Sequence, residues 1–284
     1  MLTRRTVSAA QLDSLLHPPS RSSSEDALRW IGSTEQLETT HPRIRLLALS
    51  LTQLLRTPQE KAVACFDHVR SLPFGCVGDG IHVRATEVLK RGRGDCHTKS
   101  TLLVALLRSI EIPARVRFLA LQGEFLRGLL DLDSLPVLHC AVEVLLDGRW
   151  ILVDTHVVDP EFACAARARL RSEGHTLGWG IHLGAQTDWD GRSPAFGQIV
   201  PDDHDSWPLR DWGVFDDPAH FYTTVPEVRR RLGWRGRMRW KLASRLVNRR
   251  VNALRESADG CAPPPANRRL AASARLHAAP NPAR

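Results

Sequence analysis

Asp147-Gly148 constrains this chain more than any other pair of residues. Between two strand-like runs, such a dipeptide marks a two-residue hairpin of the type I′ kind. His139-Cys140-Ala141-Val142-Glu143-Val144-Leu145-Leu146 precedes it, and Arg149-Trp150-Ile151-Leu152-Val153-Asp154 follows. The turn sets the register: Leu146 opposes Arg149, Val142 opposes Val153 and Ala141 opposes Asp154. Alternate residues of a strand share a face. One face therefore carries Cys140, Val142, Val144, Leu146, Ile151 and Val153, and is apolar throughout. The other holds Leu145, Trp150 and Leu152, but also His139, Ala141 and Asp154. His139 and Asp154 are diagonal neighbours, with backbones ~7–8 Å apart and side chains within reach. Ala141 leaves room between them. His156 pairs across from His139 on the same face, and Asp159 lies a little beyond. Either replaces Asp154 if the register slips; Asp154 is favoured because it lies in the ladder.

The second informative stretch is Gly92-Arg93-Gly94-Asp95-Cys96. The glycines let the backbone turn tightly, and the apolar pattern behind them predicts a helix over residues 95–110, stopped by Pro113. Cys96 falls in its first turn, where unpaired N–H groups and the helix dipole favour an anion. A thiol there has its pKa lowered, and the thiolate is the nucleophilic form. Cys96, Ser100, Leu103, Leu107 and Ile110 form one stripe, so Cys96 faces the body of the protein. A helix-start cysteine, a histidine and an aspartate able to orient that histidine are the parts of a thiol acyl-transfer site. The other five cysteines read as inert and buried.

Elsewhere, residues 41–56 have apolar residues at helical spacing, and Thr57-Pro58-Gln59-Glu60 is a capping box with proline at the first helical position. Short helices are predicted near 85–90 and 161–172, and a further strand over 114–121. Residues 174–218, rich in Gly, Pro, Trp and Asp, read as loops. Helices first and strands clustered after the central helix imply an α+β fold with one antiparallel sheet. The expected organisation is an N-terminal extension (1–40), a catalytic domain (41–225), a basic amphipathic helical segment (226–256) and a disordered tail (257–284).

Composition limits the function classes. The chain has 284 residues, 43% hydrophobic and 25% charged, which excludes a wholly disordered, collagen-like or disulfide-scaffold protein. There is no apolar run of the ~20 residues a membrane-spanning helix needs, and none behind the N-terminal arginines to suggest a signal peptide. Six irregularly spaced cysteines do not form a disulfide framework, and a cytoplasmic location is the expectation. Of the net charge of +8, residues 226–255 supply eleven Lys or Arg against one acid, Glu227. The body is mildly acidic.

Gly94-Asp95-Cys96-His97-Thr98-Lys99, followed by LLVALLRSIEIPARVRF and then HCAVEVLLDGRWILVD, resembles the bacterial transglutaminase-like superfamily. The likeness is strong over about residues 43–160 and weaker to about 222. It implies a papain-like core, a central helix that starts at the nucleophile and packs on an antiparallel sheet, with extra N- and C-terminal helices. It also implies Cys96 as nucleophile, His139 as base and Asp154 as orienting acid; no cofactor and no metal are expected. Ala141 departs from the aromatic residue often found there, and Cys140 from a small one. Members include cross-linking transamidases, peptidases and amide hydrolases. The expected substrate is a peptide or protein amide, and the acceptor is water or an amine.

Competing readings are weaker. Cys96-His97, His139-Cys140, His82, His156, His175 and His182 suggest zinc, but no CxxC or HxxxH pair exists. Asp188-Trp189-Asp190-Gly191 and Asp202-Asp203-His204-Asp205 lack the spacing of a calcium loop and read as solvated turns. The basic C-terminal helix fits a membrane surface, nucleic acid or an acidic partner, or packs its apolar side on the catalytic domain. A non-catalytic scaffold is the alternative to an enzyme.

Overall fold

A computed structural model describes residues 6–16, 24–77, 80–132, 135–231 and 234–257. The predicted tail lies, apart from its first residue, outside the described residues. In chain order the helices are α1 (Ala9–Leu16), α2 (Ser24–Arg29), α3 (Pro42–Thr52), α4 (Pro58–Ser71), α5 (Ala85–Arg91), α6 (Cys96–Ser109), α7 (Pro160–Glu173), α8 (Pro218–Thr224), α9 (Pro226–Arg231) and α10 (Trp234–Glu256). The strands are β1 (Ala114–Leu121), β2 (Val137–Leu146), β3 (Arg149–Val153), β4 (Leu177–Gly178), β5 (Ile181–His182) and β6 (Arg210–Phe215). The fold is α+β. Its main sheet is antiparallel, in the order β3-β2-β1-β6.

The hairpin forms in the predicted register, with Leu146 opposite Arg149 and Val142 opposite Val153. Asp147 and Gly148 both have positive φ, 50° and 73°, as a type I′ turn requires. Thr57 caps α4 in the predicted capping box with Glu60.

The central helix α6 is more deeply placed than its stripe implies. Every residue from Thr98 to Arg108 is buried, so the helix is enclosed all round, as expected for a core element. Val142, Val144, Leu146, Ile151 and Val153 join Leu102, Leu103, Leu106 and Leu107 in one apolar cluster with residues of α3, α4 and α5. Full burial of each such leucine contributes roughly 1.5–3 kcal/mol. The opposite face of the hairpin is also covered: Ala141 and Leu152 pack with Leu12, Leu15 and Leu16 of α1 and with Phe125, Phe196 and Trp207.

Lys99 is fully buried on α6. Its ammonium donates to the carbonyls of Arg70 (3.2 Å), Leu72 (2.8 Å) and Val157 (3.0 Å). It thereby ties the end of α4 and the turn after β3 to the start of α6.

β4, β5, β6 and α8 were not anticipated. Residues 210–215, expected to be loop, form β6 and add a fourth strand beside β1. The pairing shifts between Phe118 and Leu119, where Trp212 has no partner and Gly213 has φ +83°. This bulge and the flanking Asp and Pro residues hide the alternation in the sequence. α8 follows at once, capped by Asp217, and Phe221 stacks on Phe118 with ring centroids 3.7 Å apart. The basic segment is helical, but the C-terminal half of α10 docks on the body through Val247, Val251 and Leu254. Arg255 pairs with Asp159 and Glu161, and Asn248 exchanges hydrogen bonds with the backbone of Cys76. Met238, Leu242 and Leu246 are exposed. No helix among the described residues is long and apolar enough to cross a membrane.

Lys99→Met takes the donor from the carbonyls of Arg70, Leu72 and Val157, the first and last of these contacts being buried. The expected loss is about 3 kcal/mol or more of folding stability, measured by urea denaturation, with the methionine's similar length leaving no large cavity.

Candidate active site

The site is built on the first turn of α6. Asp95 is the N-cap: its carboxylate accepts from the Thr98 backbone N–H at 3.1 Å, and the Asp95 N–H donates to Thr98 Oγ1 at 2.8 Å. The second carboxylate oxygen accepts from Val77 N–H at 3.1 Å, which fixes the preceding loop. Gly94 is required by space, because a Cβ there would stand 2.6 Å from Thr98 Oγ1 and 2.9 Å from Lys99 Cγ. Cys96 is thereby the first helical residue, half-buried, with its sulfur at the helix N-terminus.

The structure brings Cys96, His139 and Asp154 together. His139 Nε2 lies 3.1 Å from Asp154 Oδ2, with the two side chains 1% and 0% exposed. His139 and Cys96 also interact, and each favours the charged form of the other. Since Nε2 is taken by Asp154, the ring nitrogen left for the sulfur is Nδ1. Phe125 packs edge-on against the His139 ring.

Asp154 has a second anchor that the sequence did not disclose. Its Oδ1 accepts from Gly197 N–H at 2.6 Å, while its own N–H donates to Ala195 carbonyl at 3.0 Å. Ala195 bridges to Val153 in a short parallel contact. A backbone segment more than forty residues downstream therefore holds the carboxylate. The two alternatives for Asp154 are engaged elsewhere. His156 Nε2 meets Ser100 Oγ at 3.0 Å, and Asp159 caps α7 while pairing with Arg255.

A further histidine and a tyrosine belong to the same cluster. His97 Nδ1 is 3.3 Å from Cys96 Sγ, and His97 Nε2 is 2.7 Å from the Tyr222 hydroxyl. His97 was visible in the sequence only as half of a Cys-His pair considered for zinc. Tyr222 had no signal at all, since α8 was not predicted and reaches the site only by packing.

Charge follows from these contacts. Burial pushes the Cys96 thiol up, but the charge of His97, the side-chain hydrogen bond with His139 and further contacts with the two rings outweigh it. The thiol falls from its ordinary 9.0 to about 6. Burial lowers His139, but its hydrogen bonds to Asp154 and Cys96 and the charges of both raise it to about 9. A thiolate facing an imidazolium is thus the favoured state between these values. His156 behaves oppositely: burial, then the charges of Lys99 and His139, hold it well below its ordinary value and keep it neutral.

The remaining residues weighed for metals do not converge. His182 pairs with Asp203 at 2.8 Å, and the described residues hold no group of three His, Cys, Asp or Glu arranged for a metal ion. Asp190 accepts from the N–H groups of Arg192 and Ser193, and Asp203 accepts from Asp205 N–H, so these acids serve turns. Cys65, Cys76, Cys96 and Cys140 are free. Cys164, read as one of the inert thiols, is instead disulfide-bonded.

No curated protein matches the chain. Two solved structures are similar at 20% identity. One is a candidate cysteine protease from Cytophaga hutchinsonii, with a TM-score of 0.41 over 53% of this chain. The other is a candidate protease from Parabacteroides distasonis, with a TM-score of 0.31 over 44% of this chain. The chain spans about half the length of the first (48%) and a quarter of the second (24%). Residues 45–155, which include Cys96, His139 and Asp154, match the family model of the transglutaminase-like superfamily. The matched segment contains α6 and the β1-β2-β3 meander, so the likeness to the transglutaminase-like superfamily covers the part of the chain that carries the candidate site.

Proposed function

We propose that this chain is a cysteine-dependent acyl-transfer enzyme acting on peptide or protein amides. The observation that carries this reading is the buried His139–Asp154 pair interacting with the thiol of Cys96 at the start of α6, assembled from three separate elements. Cys96 Sγ attacks the amide carbonyl as a thiolate. The oxyanion is held by backbone N–H groups at the start of α6, where the first turn has no intrahelical acceptors. As the carbon–nitrogen bond breaks, protonated His139 gives its proton to the leaving amine, and a Cys96 thioester remains. Water or a primary amine then attacks. His139 takes the proton of the acceptor, the carbon–sulfur bond breaks, and the thiolate returns. Asp154 fixes the hydrogen of His139 on Nε2 and supports the imidazolium.

The activity is tested with glutamine-containing peptides in the presence and absence of a primary amine, with products identified by mass spectrometry. Cys96→Ala is expected to lower deamidation, cleavage or amine incorporation by ~10³-fold or more. Turnover that survives this substitution contradicts the reading.

The pH profile gives an independent check. Below about 6 the thiol is protonated, and above about 9 His139 loses its proton, so kcat/KM is expected to be bell-shaped between these limits. Asp154→Asn removes the carboxylate's charge and its strong acceptor, which hold His139 up. It is therefore expected to move the alkaline limb to lower pH. An alkaline limb that stays in place would show that Asp154 does not act on His139.

A further inference from the structure

The mechanism above uses one imidazole, yet two meet the sulfur. We propose that His97 is a second functional imidazole, a fixed hydrogen-bond donor that holds the Cys96 thiolate through Nδ1–H, with Tyr222 as the positioning residue that keeps this hydrogen in place. The inference rests on Cys96 being the nucleophile and His139 its base.

The argument is one of polarity. Asp154 can only accept, so it fixes a hydrogen on Nε2 of His139. Neutral His139 therefore turns a bare Nδ1 to Cys96, ready to take the thiol proton. Tyr222 is a phenol, and it can donate as well as accept. Burial keeps it protonated by pushing its pKa well above the ordinary range. Its hydroxyl lies 2.7 Å from His97 Nε2. When His97 is neutral and the sulfur is a thiolate, the phenol donates to Nε2, and the ring's single hydrogen sits on Nδ1, 3.3 Å from the sulfur. When His97 is protonated, Nε2–H donates to the phenol oxygen and Nδ1–H still faces the sulfur. In both states His97 presents a donor. The two rings are thus set to opposite tasks by their partners, His139 to accept a proton and His97 to give a hydrogen bond.

The placement of Tyr222 is rigid. Its ring packs against Phe118 and Phe221, with centroids 5.9 and 5.2 Å away, and Phe221 is stacked on Phe118 of β1. The His97 ring lies 5.5 Å from both Phe118 and Tyr222. β6 and α8 therefore supply the site with a residue that the matched segment 45–155 lacks.

The donor acts beside His139 on the same sulfur. In the second half of the reaction His139 takes a proton from the acceptor, and the carbon–sulfur bond then breaks to release a thiolate. A hydrogen bond from His97 stabilises that leaving sulfur with no proton transferred.

The test is the pH dependence of Cys96 alkylation by iodoacetamide, followed by peptide mass spectrometry, in wild type, His97→Ala, His97→Asn, Tyr222→Phe and His139→Ala. Circular dichroism verifies that each variant is folded. His97→Ala is expected to raise the alkylation midpoint by about one pH unit, the size expected for losing a hydrogen bond to a charged group. His97→Asn keeps an N–H near the position of Nδ1 and is expected to restore most of the shift. Tyr222→Phe keeps the ring packing and is expected to shift the midpoint less than His97→Ala. If His139→Ala moves the midpoint and folded His97 variants do not, His97 is packing alone and the proposal is overturned while the His139 reading stands. If His97→Ala moves it and a folded His97→Asn does not recover, the donor role is overturned. If neither histidine moves it, both readings fall. Should His97→Ala not fold, the Asn and Tyr222→Phe variants decide: unchanged alkylation in Tyr222→Phe together with a full shift in His97→Asn overturns the proposal.

Discussion

Gly94, Asp95 and Lys99 together fix the point at which α6 begins, and every contact of Cys96 depends on that point. Gly94 admits the close approach of Thr98 and Lys99. Asp95 closes the capping box and ties Val77 to the same turn. Lys99, three residues beyond Cys96, gathers three carbonyls from two other segments. A helix N-terminus left to itself frays. Here it is held by charge-assisted and backbone hydrogen bonds inside the core, so the sulfur is presented in one place. The same turn supplies the unpaired N–H groups and the dipole that suit an anion.

Around that fixed sulfur the environment opposes ionisation by burial and favours it by two imidazoles, and the imidazoles prevail. Each is oriented by an oxygen on a different element: Asp154 after β3 for His139, and Tyr222 on α8 for His97. The oxygens are themselves anchored from a distance, Asp154 by the backbone at Ala195 and Gly197, Tyr222 by the stack of Phe221 on Phe118. The chain outside residues 45–155 is therefore not only a cover for the sheet. It carries Tyr222, which orients His97, and the backbone at Ala195 and Gly197 that anchors Asp154.

What could be read from the sequence and what could not divide along one physical line. A two-residue turn and period-two alternation fix register locally, so Val142 opposite Val153 and the approach of His139 to Asp154 followed from residues 139–154 alone. The start of α6 followed from glycines beside a helical pattern. Contacts made by backbone across long separations leave no pattern, and Gly197 on Asp154 is of that kind. β6 was missed because a bulge at Trp212-Gly213 breaks the alternation and its flanks look like turns. α8 was lost with it, and Tyr222 with α8. α6 was read as having one buried stripe, but Lys99 and Thr101 are buried too, since polar side chains in a core are satisfied by partners that a periodicity cannot see. The apolar side of α10 is divided in a similar way. Val247, Val251 and Leu254 are spent on the body, and Arg255 serves as an internal ion-pair partner and not as part of a free basic surface.

The most direct test of the account is capture of the acyl-enzyme. The full chain would be mixed with an activated acyl donor, such as a peptide thioester, quenched in acid and digested, and the acylated residue located by mass spectrometry. The account predicts a thioester on Cys96 that forms rapidly in wild type, slows sharply in His139→Ala and disappears on adding water-equilibrated buffer or a primary amine at neutral pH. Acylation that falls equally on Cys65, Cys76 and Cys140, or that is indifferent to His139, would contradict it.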